Sequence, residues 1–423
     1  MSEKLIGAID IGTTKIVAVV GEITNDGDSF RVLEYHVTPS QGIKGGIVED
    51  FQKVVQSIKK AVDKVGMVEK YGIEEVYVGV AGHTVRSTEN TSYRMIRDKE
   101  ITKEHIDELK QEMYNTVVDD SEVVLHVIER AYILDDMHEV INPIGNEAKK
   151  LEGKFHLIIA NKSFINSVSR CVNNAGLRVK RFIFEPLASA ASVLTKEEEE
   201  GGIALVDIGG GTTDIVIIKE GIVLHSAVIP LGGNSITDDI KNALRILGGT
   251  AEDIKIKYGK AIAGKALENE NIHIPGIAGR EPIEISVRDL ALIVQARVLE
   301  IIDSVHEEIK PYKDQIAVGI TLTGGGALLD QIDLFFRYRT GLGVRLAKPD
   351  IDDIPELAKP QFSTTIGLLK KGMMYEKQVA SNTQKRTKPK TGQSQKKQTE
   401  KGGIFDALLE KLSNFFLGPD DEL

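Results

Sequence analysis

The sequence predicts an α/β fold of two lobes with a duplicated core, an inserted α+β subdomain in the first lobe, and a disordered linker ending in an amphipathic helix. Three observations carry that expectation. Two apolar hairpins share Asp-Ile-Gly, at Asp10-Ile11-Gly12 and at Asp207-Ile208-Gly209. From about His83 to Lys162 the chain turns polar and charged while keeping short strand and helix signals. After Lys377 the apolar periodicity stops.

The second hairpin is the richer one. Ile203 to Ile208 is a β-branched apolar run, Gly209-Gly210-Gly211-Thr212-Thr213 is its turn, and a second run leaves through Ile215 to Ile218. That pattern reads as a buried β-hairpin. Consecutive glycines aim backbone N–H groups inward and let a ligand approach the chain. Thr212 and Thr213 add hydroxyl donors suited to phosphate oxygens, and Asp207 can hold a hydrated Mg²⁺ through water. The first hairpin, Ala8 to Val20, repeats Asp-Ile-Gly and Thr-Thr-x-Ile-Val, so the second stretch carries two additional glycines. Asp10, Gly12, Thr13, Thr14 and Lys15 are its candidates, Asp10 as a second metal carboxylate and Lys15 as a point charge. A third glycine turn, Gly324-Gly325-Gly326, follows the apolar run Val318 to Thr323. Neither a Walker A loop nor a helix-opening G-x-G-x-x-G is present.

This trio resembles the actin, heat-shock-chaperone and sugar-kinase ATPase superfamily. The resemblance implies ATP with Mg²⁺, phosphates clamped by two hairpins, and a third glycine turn beside the nucleoside.

Composition bounds the rest. The 423 residues suffice for two large domains or four subdomains, and 41% hydrophobic residues fill ordinary cores. A net charge of −10 argues against nucleic-acid binding. The single cysteine, Cys171, excludes an internal disulfide and reads as a small core residue. The nine histidines lack metal-ligand spacing. Met1 to Lys4 runs straight into a strand without a signal peptide, and no apolar run reaches ~20 residues, so a cytoplasmic protein is expected.

In chain order, residues 1–82 read as the first-lobe core: three strands, a helix Phe51 to Val65 with a Val54, Val55, Ile58, Val62 stripe, and a strand at Val76 to Val80. Residues 83–162 are the insertion, with a helix at Thr102 to Val117, short strands from Glu122 to Ile133, a Pro143 to Gly145 turn and a strand at Phe155 to Ala160. Residues 163–195 return to the first lobe through a helix ending near Ala175, then a helix opened by Glu185-Pro186, where proline suits the first turn. Small residues Ala188 to Ala191 allow close packing between lobes. In the superfamily an acidic or amide residue here faces the attacking water, so Glu185 is either that catalytic residue or a helix cap. Lys196 to Gly202 reads as a solvated loop.

Residues 196–229 form the second-lobe core, and 230–312 its small subdomain. The turn Pro230 to Ser235 supplies Gly232 and Gly233, grouped with the phosphate loops, before a helix Ile236 to Leu247. Glu252 and Lys255 share a helical face, either contacting adenosine as in related ATPases or forming an ordinary surface pair. A long helix, Ser286 to Ile309, buries Leu290, Ile293, Val294, Val298, Ile301, Ile302 and Val305, and its Arg288 and Arg297 either serve a partner or are plain solvated charges. Residues 313–377 complete the second lobe and return to the first. Residues 378–401 are a basic linker expected to be disordered. In 402–418, Ile404, Phe405, Leu408, Leu409, Leu412, Phe415 and Phe416 form one apolar face, either an interfacial membrane anchor or a helix for a partner groove.

The two Asp-Ile-Gly hairpins, the insertion after Val80-Ala81-Gly82, the Glu185-Pro186-Leu187-Ala188 helix and the tethered C-terminus together resemble the FtsA family of actin-like bacterial cell division proteins, across essentially the whole chain. The resemblance implies self-association into filaments, contacts with the FtsZ C-terminal tail through the small subdomain and with other division proteins, and attachment to anionic lipid on the cytoplasmic side of the membrane at the division site. Turnover is at most that of a slow ATPase. A sugar or acid kinase is the alternative within the superfamily, but no substrate pocket is marked. A chaperone would need a further peptide-binding domain.

Overall fold

Two five-stranded sheets repeat one plan in the computed structural model, which describes residues 4–24, 29–82, 84–97, 100–116, 119–266, 270–276 and 281–387. The amphipathic stretch from Ile404 to Phe416 and the linker beyond Thr387 lie outside the described residues.

In the first lobe, β1 (Lys4–Ile11), β2 (Lys15–Ile23) and β3 (Phe30–Pro39) make an antiparallel meander. A small ribbon, β4 (Ile43–Lys44) and β5 (Ile47–Val48), leads to α1 (Phe51–Val65). Asp50 caps that helix by accepting from Lys53 N at 3.2 Å, and Gly66 ends it in the left-handed region at φ 70°. β6 (Glu75–Val80) then lies parallel to β1.

The insertion is a four-stranded antiparallel sheet with one helix: β7 (Val85–Met95), α2 (Lys103–Tyr114), β8 (Glu122–Leu134), β9 (His138–Val140) and β10 (Lys150–Asn161), in the order β7-β10-β8-β9. Three elements differ from expectation. β8 is one strand of 13 residues rather than several short ones. β10 begins five residues before Phe155. β7, unexpected from its sequence, is a polar edge strand whose side chains are largely solvated, so apolar alternation never marks it.

The chain returns through α3 (Lys162–Asn174) and β11 (Arg178–Phe184), which lies parallel to β6 and completes the first sheet. α4 (Glu185–Val193) follows without a break. The expected solvated loop after it is a short helix, α5 (Lys196–Gly201). Thr195 and Glu198 cap its start reciprocally, and Glu198 is buried because Arg345 reaches it with two nitrogens. A run of four glutamates hid one that has a fixed partner.

The second lobe repeats the meander in β12 (Ile203–Ile208), β13 (Thr213–Lys219) and β14 (Ile222–Ile229). Its small subdomain holds α6 (Gly233–Leu244), α7 (Gly248–Tyr258), a ribbon of β15 (Asn271–Ile274) and β16 (Ile283–Ser286), and α8 (Val287–Ile309). β17 (Gly319–Thr323) and β18 (Val344–Leu346) add parallel strands beside β12, with α9 (Ile332–Thr340) between them. The sheet orders β11-β6-β1-β2-β3 and β18-β17-β12-β13-β14 correspond strand for strand.

The last helix, α10 (Ser363–Thr387), returns to the first lobe and covers the face of its sheet opposite α1 and α3, burying Ile366, Leu368, Leu369 and Met373 against Ile6, Ala8 and Val17. It extends into the segment expected to be disordered, as far as Thr387. Adding residues to a formed helix needs no new nucleus, so polar sequence continues a helix that it would not start. α10 crosses α4 without a gap: a Cβ on Gly367 would stand 1.8 Å from Ala188 O.

Candidate nucleotide cleft

The two hairpin turns are equal in length, which alters how their sequences correspond. Gly12 N donates to Lys15 O at 3.0 Å, and Gly209 N donates to Thr212 O at 2.9 Å. Register pairs Asp10 with Val17 and Asp207 with Asp214. Thr13-Thr14 therefore matches Gly210-Gly211, not Thr212-Thr213, and the two additional glycines of the second hairpin replace those threonines rather than lengthen its turn. Alternation along β13 then decides which side chains face the cleft. Asp214 enters it, while buried Thr213 donates to Leu231 O at 2.8 Å on the other side. Thr213 is thus removed from the cleft wall, because its strand position corresponds to that of the core residue Ile16.

The turns meet across the lobes. A Cβ on Gly210 would lie 2.4 Å from Thr14 Cγ2, and one on Gly211 would lie 2.5 Å from Thr13 Oγ1. Only hydrogen at those positions lets the loops come so close. Behind them is an inner cavity of about 90 Å³, reached by Asp10, Gly12, Thr13, Thr14, Lys15, Glu185, Asp207, Gly209 to Thr212, Asp214, Gly324 and Gly325. An outer cavity of about 490 Å³ adjoins it, lined by Gly233, Glu252, Lys255, Gly325 and Gly326 together with Thr14, Lys15, Gly209 and Gly210. That size suits a small organic ligand. Gly232 stays outside both walls and buttresses the second turn; a Cβ there would be 2.8 Å from Gly209 O. Gly233 N and Asn234 N donate to Gly209 O and Gly210 O at 2.9 and 2.8 Å, so the start of α6 holds that loop.

Four carboxylates converge on the inner cavity. Asp10, Asp207 and Asp214 are buried, and burial raises all three above the usual carboxylate range. Glu185 is pushed well above 4.5, first by burial and then by Asp10, Asp214 and Asp207. Lys15 acts in the opposite sense on Asp10, Glu185 and Asp207. Asp214 Oδ1 is buried without a hydrogen-bond partner. Such a cluster either keeps protons on its carboxyls or takes up a cation. Among the described residues no group of three or more acidic, His or Cys side chains is arranged as direct metal ligands.

Lys255 Nζ lies 2.7 Å from Glu252 Oε2 and donates to Gly233 O and Thr237 Oγ1 at 3.0 and 2.9 Å. The pair is therefore built into the outer wall rather than lying free on the surface. Arg288 and Arg297 are on α8, outside both cavities; Arg297 forks onto Asp239 at 2.7 and 3.0 Å, while Arg288 is exposed. Sequence reading missed Asp214, although a carboxylate inside the run Thr213 to Ile218 was a usable signal. It also missed Ser189, Thr364 and Thr365, which hydrogen-bond Asp207 or Asp10 and carry no motif of their own.

Comparison with known proteins gives a consistent picture. Residues 204–367 match the family model described as Cell division protein FtsA. Residues 82–159 match that of the SHS2 domain inserted in FtsA. Cell division protein FtsA of Pseudomonas aeruginosa is 37% identical over 381 residues, covering 89% of this chain and 91% of that protein. The Neisseria meningitidis and Escherichia coli K12 proteins of the same name are 32% and 31% identical, covering 98% and 92% of this chain and 99% and 95% of their own lengths. Among solved structures, a PilM-PilN type IV pilus biogenesis complex superposes with TM-score 0.63 at 15% identity, over 87% of this chain and 98% of that one. MreB5 of Spiroplasma citri bound to ADP gives 0.52 at 19%, over 90% and 98%. These two likenesses show the fold alone, which is actin-like; the insertion rests on the family model over residues 82–159.

Proposed function

The chain belongs to the FtsA family of cell division proteins, and from that premise we propose that it is an ATP-binding scaffold that polymerises on the inner face of the membrane and ties the FtsZ ring to it. The observation that carries the nucleotide part is the cluster of Asp10, Glu185, Asp207 and Asp214 behind two glycine turns, with Asp214 Oδ1 unpartnered. The residues fit Mg²⁺-ATP. Asp10 and Asp207 would hold the hydrated ion through its waters. Backbone N–H groups of the turn tips, Thr13 and Thr14 in the first hairpin and Gly210 and Gly211 in the second, would face phosphate oxygens, with Lys15 as the point charge. Gly325, Gly326, Gly233, Glu252 and Lys255 form the nucleoside side of the cleft, with Gly324 behind them against Asp207.

Bound Mg²⁺ supplies positive charge to the phosphate oxygens. Glu185, at the first turn of α4, would orient the attacking water and, in its ionised form, accept its proton. Lobe closure is the main use of the ligand in this reading, with slow turnover.

The small subdomain, 230–312, is the face offered to the FtsZ tail, with Arg288 exposed at the start of α8. The insertion serves contacts between protomers. For the C-terminal helix, seven large apolar side chains on one face contribute on the order of 10 kcal/mol gross when buried. Ordering costs ~1 kcal/mol or more per residue, so one copy binds anionic lipid weakly. A filament presents many copies on one side and attaches firmly.

Co-sedimentation with anionic vesicles, with and without ATP, tests this reading. Phe405→Glu with Leu412→Glu should leave the protein in the supernatant with ATP binding intact. Wild-type protein that never sediments with vesicles rules out the anchor.

A further inference from the structure

The last helix opens with three consecutive hydroxyls, and each is committed to a different part of the cleft. Thr365 Oγ1 donates to Asp10 Oδ2 at 2.6 Å, in the first lobe. Thr364 Oγ1 donates to Asp207 Oδ2 at 3.3 Å, in the second. It also lies 2.9 Å from Ser189 Oγ, which donates to the same Oδ2 at 2.6 Å. Ser363 Oγ meets Thr323 Oγ1, at the end of β17, at 2.6 Å. Ser363 and Thr365 are 1% and 0% exposed. Two adjacent side chains on one helix thus grip carboxylates from opposite hairpins.

That helix has little freedom to sit elsewhere. Gly367 lies against Ala188 O too closely for any Cβ. Further along, Glu376 accepts from Tyr77 OH at 2.8 Å, from Lys4 Nζ at 2.7 Å, and from Lys180. In both aspartates it is Oδ2 that is held, and a hydrogen bond to one oxygen fixes rotation of the carboxylate about its Cβ–Cγ bond. Neither hairpin does this for itself, since the donors come from α10 and from Ser189 on α4.

We propose that Thr364 and Thr365 are positioning residues that set the carboxylates of Asp10 and Asp207 for one hydrated divalent cation between the lobes. The proposal rests on the reading of the cleft as a Mg²⁺-nucleotide site. It assigns the matching of the two half-sites to the start of α10 rather than to the duplicated turns.

The test uses the full chain, a fluorescent ATP analogue, and a Mg²⁺ titration beside a series in EDTA. Thr364→Val with Thr365→Val keeps the shape and removes both donors; Thr364→Ser with Thr365→Ser keeps them. Losing hydrogen bonds to charged acceptors should raise the Mg²⁺ concentration at half-saturation about tenfold or more. Binding in EDTA should stay within about twofold of wild type, and the serine pair should restore the wild-type curve. A structural role would weaken both series alike and would not separate serine from valine. Should the valine pair not fold, Thr364→Val alone, at a half-buried position, makes the same comparison. An unchanged Mg²⁺ curve in the valine variants, equal loss in both series, or no rescue by serine overturns the proposal. Wild-type protein without Mg²⁺-dependent nucleotide binding overturns the site reading itself, and the proposal with it.

Discussion

Gly324 and Gly325 are neighbours in the third glycine turn, yet the structure gives them opposite tolerance for a methyl group. Gly324 has φ +89°, and a Cβ there would stand 2.2 Å from Asp207 Oδ1 and 2.5 Å from Ile208 O. Gly325 has φ −64°, and its Cβ would meet nothing nearer than Gln361 Cβ at 3.8 Å. Gly324→Ala carries ~1–2 kcal/mol for an L-residue at positive φ. Displacing the Asp207 carboxylate and the end of β12 adds ~1–3 kcal/mol of overpacking. At ~2–4 °C per kcal/mol for a lobe of this size, the melting temperature should fall by roughly 5–15 °C. Mg²⁺-dependent ATP binding should fall with it, because the methyl group displaces the carboxylate proposed to hold the ion. Gly325→Ala should melt within about 1–2 °C of wild type, since surface changes away from strain stay within ~0.5 kcal/mol. Thermal unfolding of both variants, with calorimetric titration of ATP, decides the matter. Equal melting temperatures for the two variants would refute the argument, whichever direction they moved.

Two further outcomes follow from the cleft. Asp207→Ala should abolish Mg²⁺-dependent ATP binding and Asp10→Ala should weaken it strongly, read by the same titration; unchanged affinity in both would remove the metal assignment. Glu185 has its folded pKa raised above 4.5, so the nucleotide-free protein loses stability as pH rises from there through the folded value. Glu185→Gln should flatten that slope in urea unfolding and raise the midpoint at neutral pH, while slowing any ATP turnover.

Much of the architecture was legible because it lies in apolar runs. The helix Phe51–Val65 and the strand ends at Ile208 and Val80 are where periodicity and glycine put them. The duplicated hairpin was legible from the shared Asp-Ile-Gly and Thr-Thr-x-Ile-Val. What failed has a common physical cause: hydrogen-bond register and ion pairing are long-range. Equating the two Thr-Thr pairs placed Thr213 in the cleft, whereas the closure from Gly209 N to Thr212 O places Asp214 there. The four-glutamate run looked solvated because the partner that buries Glu198 is Arg345, far along the chain. Arg297 looked free for the same reason, with Asp239 lying on another helix. Thr364 and Thr365 show their meaning only beside Asp207 and Asp10.

The insertion illustrates how one such distant contact bears on the cleft. Val85, Ile158 and Ala160 belong to the first-lobe core, and Ser87 and His156 reach Ser226 on β14 of the second lobe at 2.8 and 3.1 Å. His126 on β8 goes further: its Nε2 accepts from Phe184 N at 3.0 Å, immediately before Glu185. The insertion therefore anchors the end of α4 that carries the proposed catalytic carboxyl. Burial, with Arg181 and Lys371 nearby, pushes the His126 imidazole from 6.5 down to about 3, so it stays neutral and can accept. Its folded value is the lower one, so stability is lost as pH falls from about 6.5 towards 3. His126→Asn retains an acceptor but cannot protonate. At pH 7 the variant should be less stable by ~1–3 kcal/mol, the cost of an imperfectly satisfied buried N–H. Below pH 6 the deficit should shrink and then reverse, since only wild type must suppress a protonation. Urea midpoints of both proteins between pH 7 and 4.5 measure this, and taking their difference removes the opposing slope from Glu185. A deficit that stays constant over that range means His126 does not hold α4 as a neutral acceptor.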